Sequence, residues 1–314
     1  MKIRKVIVGA LLAVIGVPVV LALALWVCFY ALISSFAPNR TNGAIVSSGH
    51  RREYLLHVPG SYDRTKPMPL VISMHAAMNW PAFQMKISQW NQAADANGFI
   101  VVYPSGTGTG PRTWFMEGSR TPSRMPHVRF ISELIDTLEA TYDIDPTRIY
   151  ADGLSNGGGM AFVLSCTLSH RIAAIGAVAA AQSLPWSWCA DSTPVPMIAF
   201  HGTADPIVPY HGGKVWIAPL PFPSVRTWVA EWARRNRCGP NPVDAVVAAD
   251  VTRLEYTDCA GDATVVLYTV VGGGHTWPGG KPMPGWLVGR TTDSIDATSL
   301  MWAFFREHRL RPSD

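Results

Sequence analysis

The chain is short of features that would place it at once. Its 314 residues include 26 basic and 22 acidic side chains; the first 40 residues hold four of the basic and none of the acidic ones, which leaves 22 of each in residues 41–314. A segment without basic excess has no stripe to neutralise phosphates, so nucleic acid is not an expected partner. No internal repeat or low-complexity tract is present, which argues against a solenoid or an array. Cysteine is scarce, five in all, and no two stand as C-x-x-C. Neither a zinc site nor a redox pair is indicated, and no metal or organic cofactor is implied.

Charge is absent altogether from Val6 to Phe36. Such a run exceeds the ~20 residues that cross a bilayer and the ~7–15 apolar residues of a cleaved signal. With Lys2, Arg4 and Lys5 before it, residues 1–40 are expected to form an uncleaved signal anchor, a transmembrane helix that leaves everything after Arg40 outside the cytoplasm. Cleavage after Ala37 is the alternative, and it would release a secreted domain. Residues 41–314 are expected to form one catalytic domain. Apart from Cys28, four cysteines face an oxidising compartment on this reading. Three pairings are open, and neighbours in order, Cys166 with Cys189 and Cys238 with Cys259, close the shortest loops.

What is present is centred on Arg148–Phe162, RIYADGLSNGGGMAF. An apolar run ends in Gly153-Leu154-Ser155-Asn156-Gly157, and a helical pattern starts at once. This is G-x-S-x-G in a strand-turn-helix setting, where the sharp turn strains the serine backbone and the glycines remove side chains that would collide. Ser155 is the expected nucleophile. The Asn156 amide, at a helix N-terminus, is the expected donor to a developing oxyanion.

Around this stretch strands and helices alternate. One or two edge strands are expected within Gly43–Pro59, and Leu70–Met74 and Phe99–Tyr103 read as buried strands. Part of Phe83–Asn97 is expected to be a helix, and Ser105–Gly118 a functional loop. A helix over Val128–Tyr142 is expected to end at Asp145-Pro146. Helices are also expected over Gly157–Leu168, Val225–Arg235 and Ala297–His308. Strands are expected within Ile172–Ala181, Val195–Phe200, Val251–Tyr256 and Thr264–Val271. The pattern is α/β, a mainly parallel doubly wound sheet of the α/β-hydrolase kind, with ligands beyond the C-terminal strand ends.

A serine hydroxyl needs a base, and the base needs a carboxylate to hold its tautomer. On this fold the order along the chain is nucleophile, acid, histidine. Asp205, after the strand ending at Phe200, is the candidate acid, with Asp191 as a weaker rival. His275, after Val270-Val271-Gly272-Gly273-Gly274, is the candidate base. His201 and His211 flank the acid loop and read as hydrogen-bonded structural groups, with His211 a further candidate for the pocket wall. The second oxyanion amide is expected from Ala77, with Met78 as the near alternative. Trp277, Trp80 and Trp114 are expected at the cleft mouth, where a ring can stack on a sugar or phenolic group.

These motifs together resemble the poly(3-hydroxybutyrate) depolymerase-like and feruloyl or acetylxylan esterase-like family of α/β-hydrolases, from about Arg51 onward. The resemblance rests on Gly153–Gly158, on His201-Gly202-Thr203-Ala204-Asp205 with Val208-Pro209-Tyr210, on Gly273-Gly274-His275-Thr276-Trp277-Pro278-Gly279-Gly280, and on Met301–Phe305. It implies Ser155, Asp205 and His275 as the triad, cysteine positions that match both disulfides, and a serine carboxylesterase acting on an ester of a small molecule, a polysaccharide or a polyester. Acyl transfer to a sugar or lipid hydroxyl, or ligand binding on a hydrolase scaffold without turnover, are the alternatives. Two departures from the family pattern stand out: His75-Ala76-Ala77 in the oxyanion loop, and Pro126-His127-Val128 where relatives carry paired aspartates.

Overall fold

The computed structural model describes residues 18–310 apart from 22, 25, 26, 29, 32, 33, 109, 117–124, 183, 191 and 216–220. The chain divides into two units, Met1–Asn39 and Arg40–Asp314. In the first, the described residues from 18 to 36 are helical. More than half of the expected anchor lies outside the described residues, and among the described residues no helix is long and apolar enough to cross a membrane.

The second unit is built on a ten-stranded sheet: β1 (Gly43–Ser47), β2 (His50–His57), β3 (Met68–Met74), β4 (Ile100–Pro104), β5 (Ile144–Leu154), β6 (Ala174–Val178), β7 (Met197–Gly202), β8 (Val243–Ala248), β9 (Val251–Tyr256) and β10 (Val265–Val270). Their order is β1-β2-β4-β3-β5-β6-β7-β10-β9-β8. The six central strands, β4 to β10, run parallel. Every residue of β3, β4, β6, β7 and β10 is buried. That explains their unbroken apolar runs, since a parallel strand covered on both faces has no side left to be polar. The outer pairs are antiparallel. Edge strand β8, exposed along its length, carries no apolar alternation and is invisible to pattern reading.

Helices α1 (Pro81–Ser88), α2 (Trp90–Asn97), α3 (Pro126–Thr141), α4 (Asn156–Thr167), α5 (Val225–Arg235), α6 (Gly285–Val288) and α7 (Ala297–Phe305) complete the unit. Two details differ from the expected pattern. The single helix expected within Phe83–Asn97 is two, because Gln89 adopts a left-handed φ of 58° and its N–H closes on Met85 O. The break turns Trp90 into the core, edge-on to Phe99 and stacked with Phe305. Asp145-Pro146 does not precede β5 but lies within it. Between the pairs Met68–Ile144 and Leu70–Ile149 the register shifts, so the proline sits in a bulge that needs no ladder N–H.

Both disulfides, Cys166–Cys189 and Cys238–Cys259, are formed. The first ties the end of α4 to the turn Trp186–Cys189.

Candidate active site

Strand β5 delivers Ser155 at the point where the chain reverses into α4. Its φ of 55° and ψ of −118° put a non-glycine residue in the left-handed half of the map, a cost that persists only where the surroundings fix it. Here they do: the Ser155 N–H donates to Val178 O at 2.8 Å, and its carbonyl receives the Gly159 N–H at 3.0 Å. A side chain on Gly157 would stand 2.2 Å from Met74 O and 2.7 Å from His75 O. The turn is therefore pressed against the loop that leaves β3, so the second glycine of the motif serves that contact as much as the turn itself.

Strands β7 and β10 deliver the other two residues. Asp205 Oδ1 receives the Ile207 and Val208 N–H groups, both at 2.8 Å. Its Oδ2 lies 2.8 Å from His275 Nδ1 and 3.3 Å from His201 Nε2. Burial acts to raise this carboxyl, but the His275 charge and hydrogen bonds from His201 and His275 hold it well below the usual carboxylate range. An ionised Asp205 can only accept, so His275 Nδ1 carries the hydrogen and Nε2 is left as the basic nitrogen. His201, also donating to Val208 O at 2.9 Å, braces the acid loop. Asp191 lies outside the described residues. The His275 N–H donates to Val288 O at the end of α6, which fixes the histidine loop from its far side.

The loop after β3 is fixed just as firmly. His75 is fully buried, donates from Nδ1 to Ala76 O at 2.7 Å and receives the Gly106 N–H on Nε2 at 3.0 Å. Burial, with a smaller contribution from the Arg112 charge, lowers its pKa to about 4, so the ring is neutral. Its carbonyl receives the Trp114 indole N–H at 2.9 Å. Asn156 then clamps the Trp114 backbone from both sides, accepting its N–H at 2.8 Å and donating to its carbonyl at 3.0 Å. Elbow, oxyanion loop and Gly-rich loop thus form one bonded unit. Ala77 and Met78 are exposed at its rim, and the Met78 N–H is directed at Thr113 Oγ1, 3.4 Å away.

His127, in the first turn of α3, receives the Arg52 guanidinium on Nδ1 at 3.1 Å, while Arg52 also stacks on Phe130. Burial and then the Arg52 charge lower the His127 pKa to about 3. His127 gives the buried arginine a hydrogen-bond acceptor without a countercharge.

The three tryptophans expected to offer free ring faces do not. Trp80 and Trp114 are 1% exposed and Trp277 is 3% exposed. Trp277 donates to Thr298 Oγ1 on α7, and Trp114 packs between His75 and His127. They are the walls behind the loops. Among the described residues, the exposed apolar groups on the same loops include Phe115, at 62%, and Met78, at 39%. Tyr210 is buried beside His201 and His211. A cavity of about 590 Å³ lies elsewhere, lined by Trp186, Glu231, Arg234, Arg235 and Arg237 among others, and no triad candidate borders it.

A family model described as Phospholipase/Carboxylesterase matches residues 117–217. Feruloyl esterase B of Piromyces equi is 31% identical over 238 residues, 73% of this chain; the chain spans 44% of that protein's length. Putative esterase NocK of Nocardia uniformis subsp. tsuyamanensis is 30% identical over 255 residues, 75% of this chain and 73% of the relative. Among solved structures, an acetyl xylan esterase from Aspergillus awamori superposes with a TM-score of 0.54 at 17% identity, over 86% of this chain and 97% of that one.

Proposed function

This chain belongs to the esterase family of α/β-hydrolases, and from that premise we propose that it hydrolyses carboxylic esters through an acyl-enzyme on Ser155. The observation that carries this reading is the 2.8 Å contact between Asp205 and His275, which follow the adjacent strands β7 and β10, with β6 alone between β7 and the strand that leads to the strained serine. As Ser155 Oγ attacks the ester carbonyl, its proton passes to His275 Nε2, and Asp205 stabilises the imidazolium that results. The tetrahedral oxyanion accepts hydrogen bonds from the amides of Asn156 and Ala77. Collapse expels the alcohol, which leaves with the proton from Nε2. Water, deprotonated by the same nitrogen, then attacks the acyl-enzyme and releases the acid and free Ser155.

The exposed Phe115 and Met78 favour an apolar or aromatic acyl group at the rim. Feruloyl and acetyl esters head the candidates, since the relatives above are named for them. The test is hydrolysis of aryl acetates, feruloyl esters and hydroxybutyrate oligomers by the full chain, together with labelling by a fluorophosphonate. Turnover is expected, with the adduct mass on the peptide containing Ser155. A folded chain inert on every ester, or an adduct elsewhere, would end this reading.

Both disulfides support export to an oxidising compartment, and the uncharged run Val6–Phe36 supports an anchor there. In a fractionated expression host the chain is expected to stay with membranes through alkaline carbonate extraction. Recovery in the supernatant would show release instead.

A further inference from the structure

Asp152 lies on β5 three residues before Ser155, is wholly buried, and takes no part in the chemistry just described. Its partner across the sheet is Ser73 on β3. The Ser73 hydroxyl donates to Asp152 Oδ1 at 2.7 Å and receives the Gln84 amide N–H from α1 at 3.0 Å. Three buried polar atoms around this chain of bonds have no hydrogen-bond partner: Asp152 Oδ2, Gln84 Oε1 and Trp90 Nε1. The Trp90 indole lies beside the carboxyl without closing a bond of normal geometry.

The donor and acceptor inventory decides what this cluster is. An ionised Asp152 offers only acceptors, so Gln84 Oε1 has nothing to receive and a buried anion stands without a cation. A protonated Asp152 has one O–H to give, and Gln84, whose amide already donates to the same Ser73 hydroxyl, has an Oε1 left without a donor. The ring then closes: Ser73 donates to Asp152, Asp152 donates to Gln84 directly or through one water, and Gln84 donates to Ser73. We propose that Asp152, held as the neutral acid, is a positioning residue that locks the nucleophile strand to the oxyanion loop. The geometry joins the three elements that matter for this: β5 carries Ser155, β3 runs into His75–Ala77, and α1 begins just past the same loop. Ionisation breaks the ring and puts a charge in an apolar layer, so elbow and oxyanion amide lose their common support.

Burial agrees with this assignment, pushing the Asp152 carboxyl up to about 8 against the lowering effect of the Ser73 hydroxyl and the nearby Trp90 indole. The titratable group that faces it is the Tyr103 phenol on β4, which burial and then the Asp152 charge raise well above its usual value. Tyr103 therefore remains neutral where Asp152 titrates. The remaining facing groups, Ser73, Gln84 and Trp90, carry no charge. In the unfolded chain Asp152 ionises at about 3.9. Its folded pKa is raised, so the folded state holds a proton that the unfolded state has lost. Stability accordingly falls as pH rises from about 4 to about 8 and levels off above that.

The inference rests on the Ser155 esterase reading, and its test separates the two. Asp152→Asn is the mimic of the neutral acid, an acceptor toward Ser73 and an N–H toward Gln84. Asp152→Ala removes the ring. On an ester turned over by the wild type, kcat and KM are measured from pH 6 to 10, with Ser155→Ala as the control. Wild-type kcat is expected to fall at least 10-fold above about pH 8, with KM little changed. Asp152→Asn should keep most of the kcat at pH 7 and lose that alkaline limb. Asp152→Ala should lie about 10- to 100-fold low across the range, the cost of a misplacement near 1 Å at the reacting centre. An alkaline limb unchanged in Asp152→Asn would overturn the proposal even if Asp152→Ala fails to fold. Turnover that survives in Ser155→Ala would instead sink the esterase site itself, and this inference with it.

Discussion

Exchanging Asp205 for asparagine is expected to lower kcat about 10⁴-fold while KM moves little. The reason lies in which atoms around the side chain can change. Oδ1 is held by two backbone N–H groups, from Ile207 and Val208, that can only donate. The asparagine oxygen must therefore stay with the loop, which turns the amide NH₂ toward His275 Nδ1 and His201 Nε2. Donor now faces donor. His275 is relieved only by moving its hydrogen to Nε2, the nitrogen proposed to take the proton from Ser155. The fold loses little, because the loop bonds survive and the buried charge is gone. Steady-state kinetics beside a thermal melt separates the two quantities: a collapsed kcat with a nearly unchanged melting temperature is expected. A loss of less than 10-fold would move the acid to another carboxylate, with Asp191 as the first to examine.

The parts of this site that can be read from the chain are those whose requirements are local. A serine in left-handed backbone geometry needs its glycines within two residues, so Gly153-Leu154-Ser155-Asn156-Gly157 announces itself. Asp205 and His275 each follow a buried strand and obey a fixed order, and order is a property of sequence. What eludes the sequence is partnership across the sheet. Nothing near Asn156 says that its side chain clamps Trp114, 42 positions earlier. Nothing near Asp152 says that Ser73, 79 positions away, will meet it. The tryptophans mislead for a related reason. A ring two residues from a catalytic group is equally suited to line the cleft or to prop up the loop, and the choice rests on α7, which supplies the hydroxyl for Trp277. Gln89 is of the same kind: no local signal marks a left-handed break, and burial of Trp90 decides it.

The contact between elbow and oxyanion loop also sets the second large effect. In Gly157→Ala the added methyl would stand 2.2 Å from Met74 O and 2.7 Å from both Met74 C and His75 O. All three are backbone atoms, with no flexible side chain to give way. Restoring ordinary contact takes a separation of more than about 1 Å between α4 and the end of β3, the two places from which the Asn156 and Ala77 amides are proposed to meet one oxyanion. Overpacking of this sort costs about 1–3 kcal/mol of stability. The catalytic loss should be larger, about 10²- to 10³-fold in kcat, because an oxyanion donor is worth that much and the displacement acts on it directly. Gly60→Ala is the matched control, since a methyl there meets nothing within 4 Å. KM should change little in either variant, as ground-state ester binding does not draw on the oxyanion amides. A Gly157→Ala chain that folds and keeps kcat within about twofold would mean that the Ala77 amide is not the second donor. The donor would then have to be sought on a segment that the added methyl leaves in place.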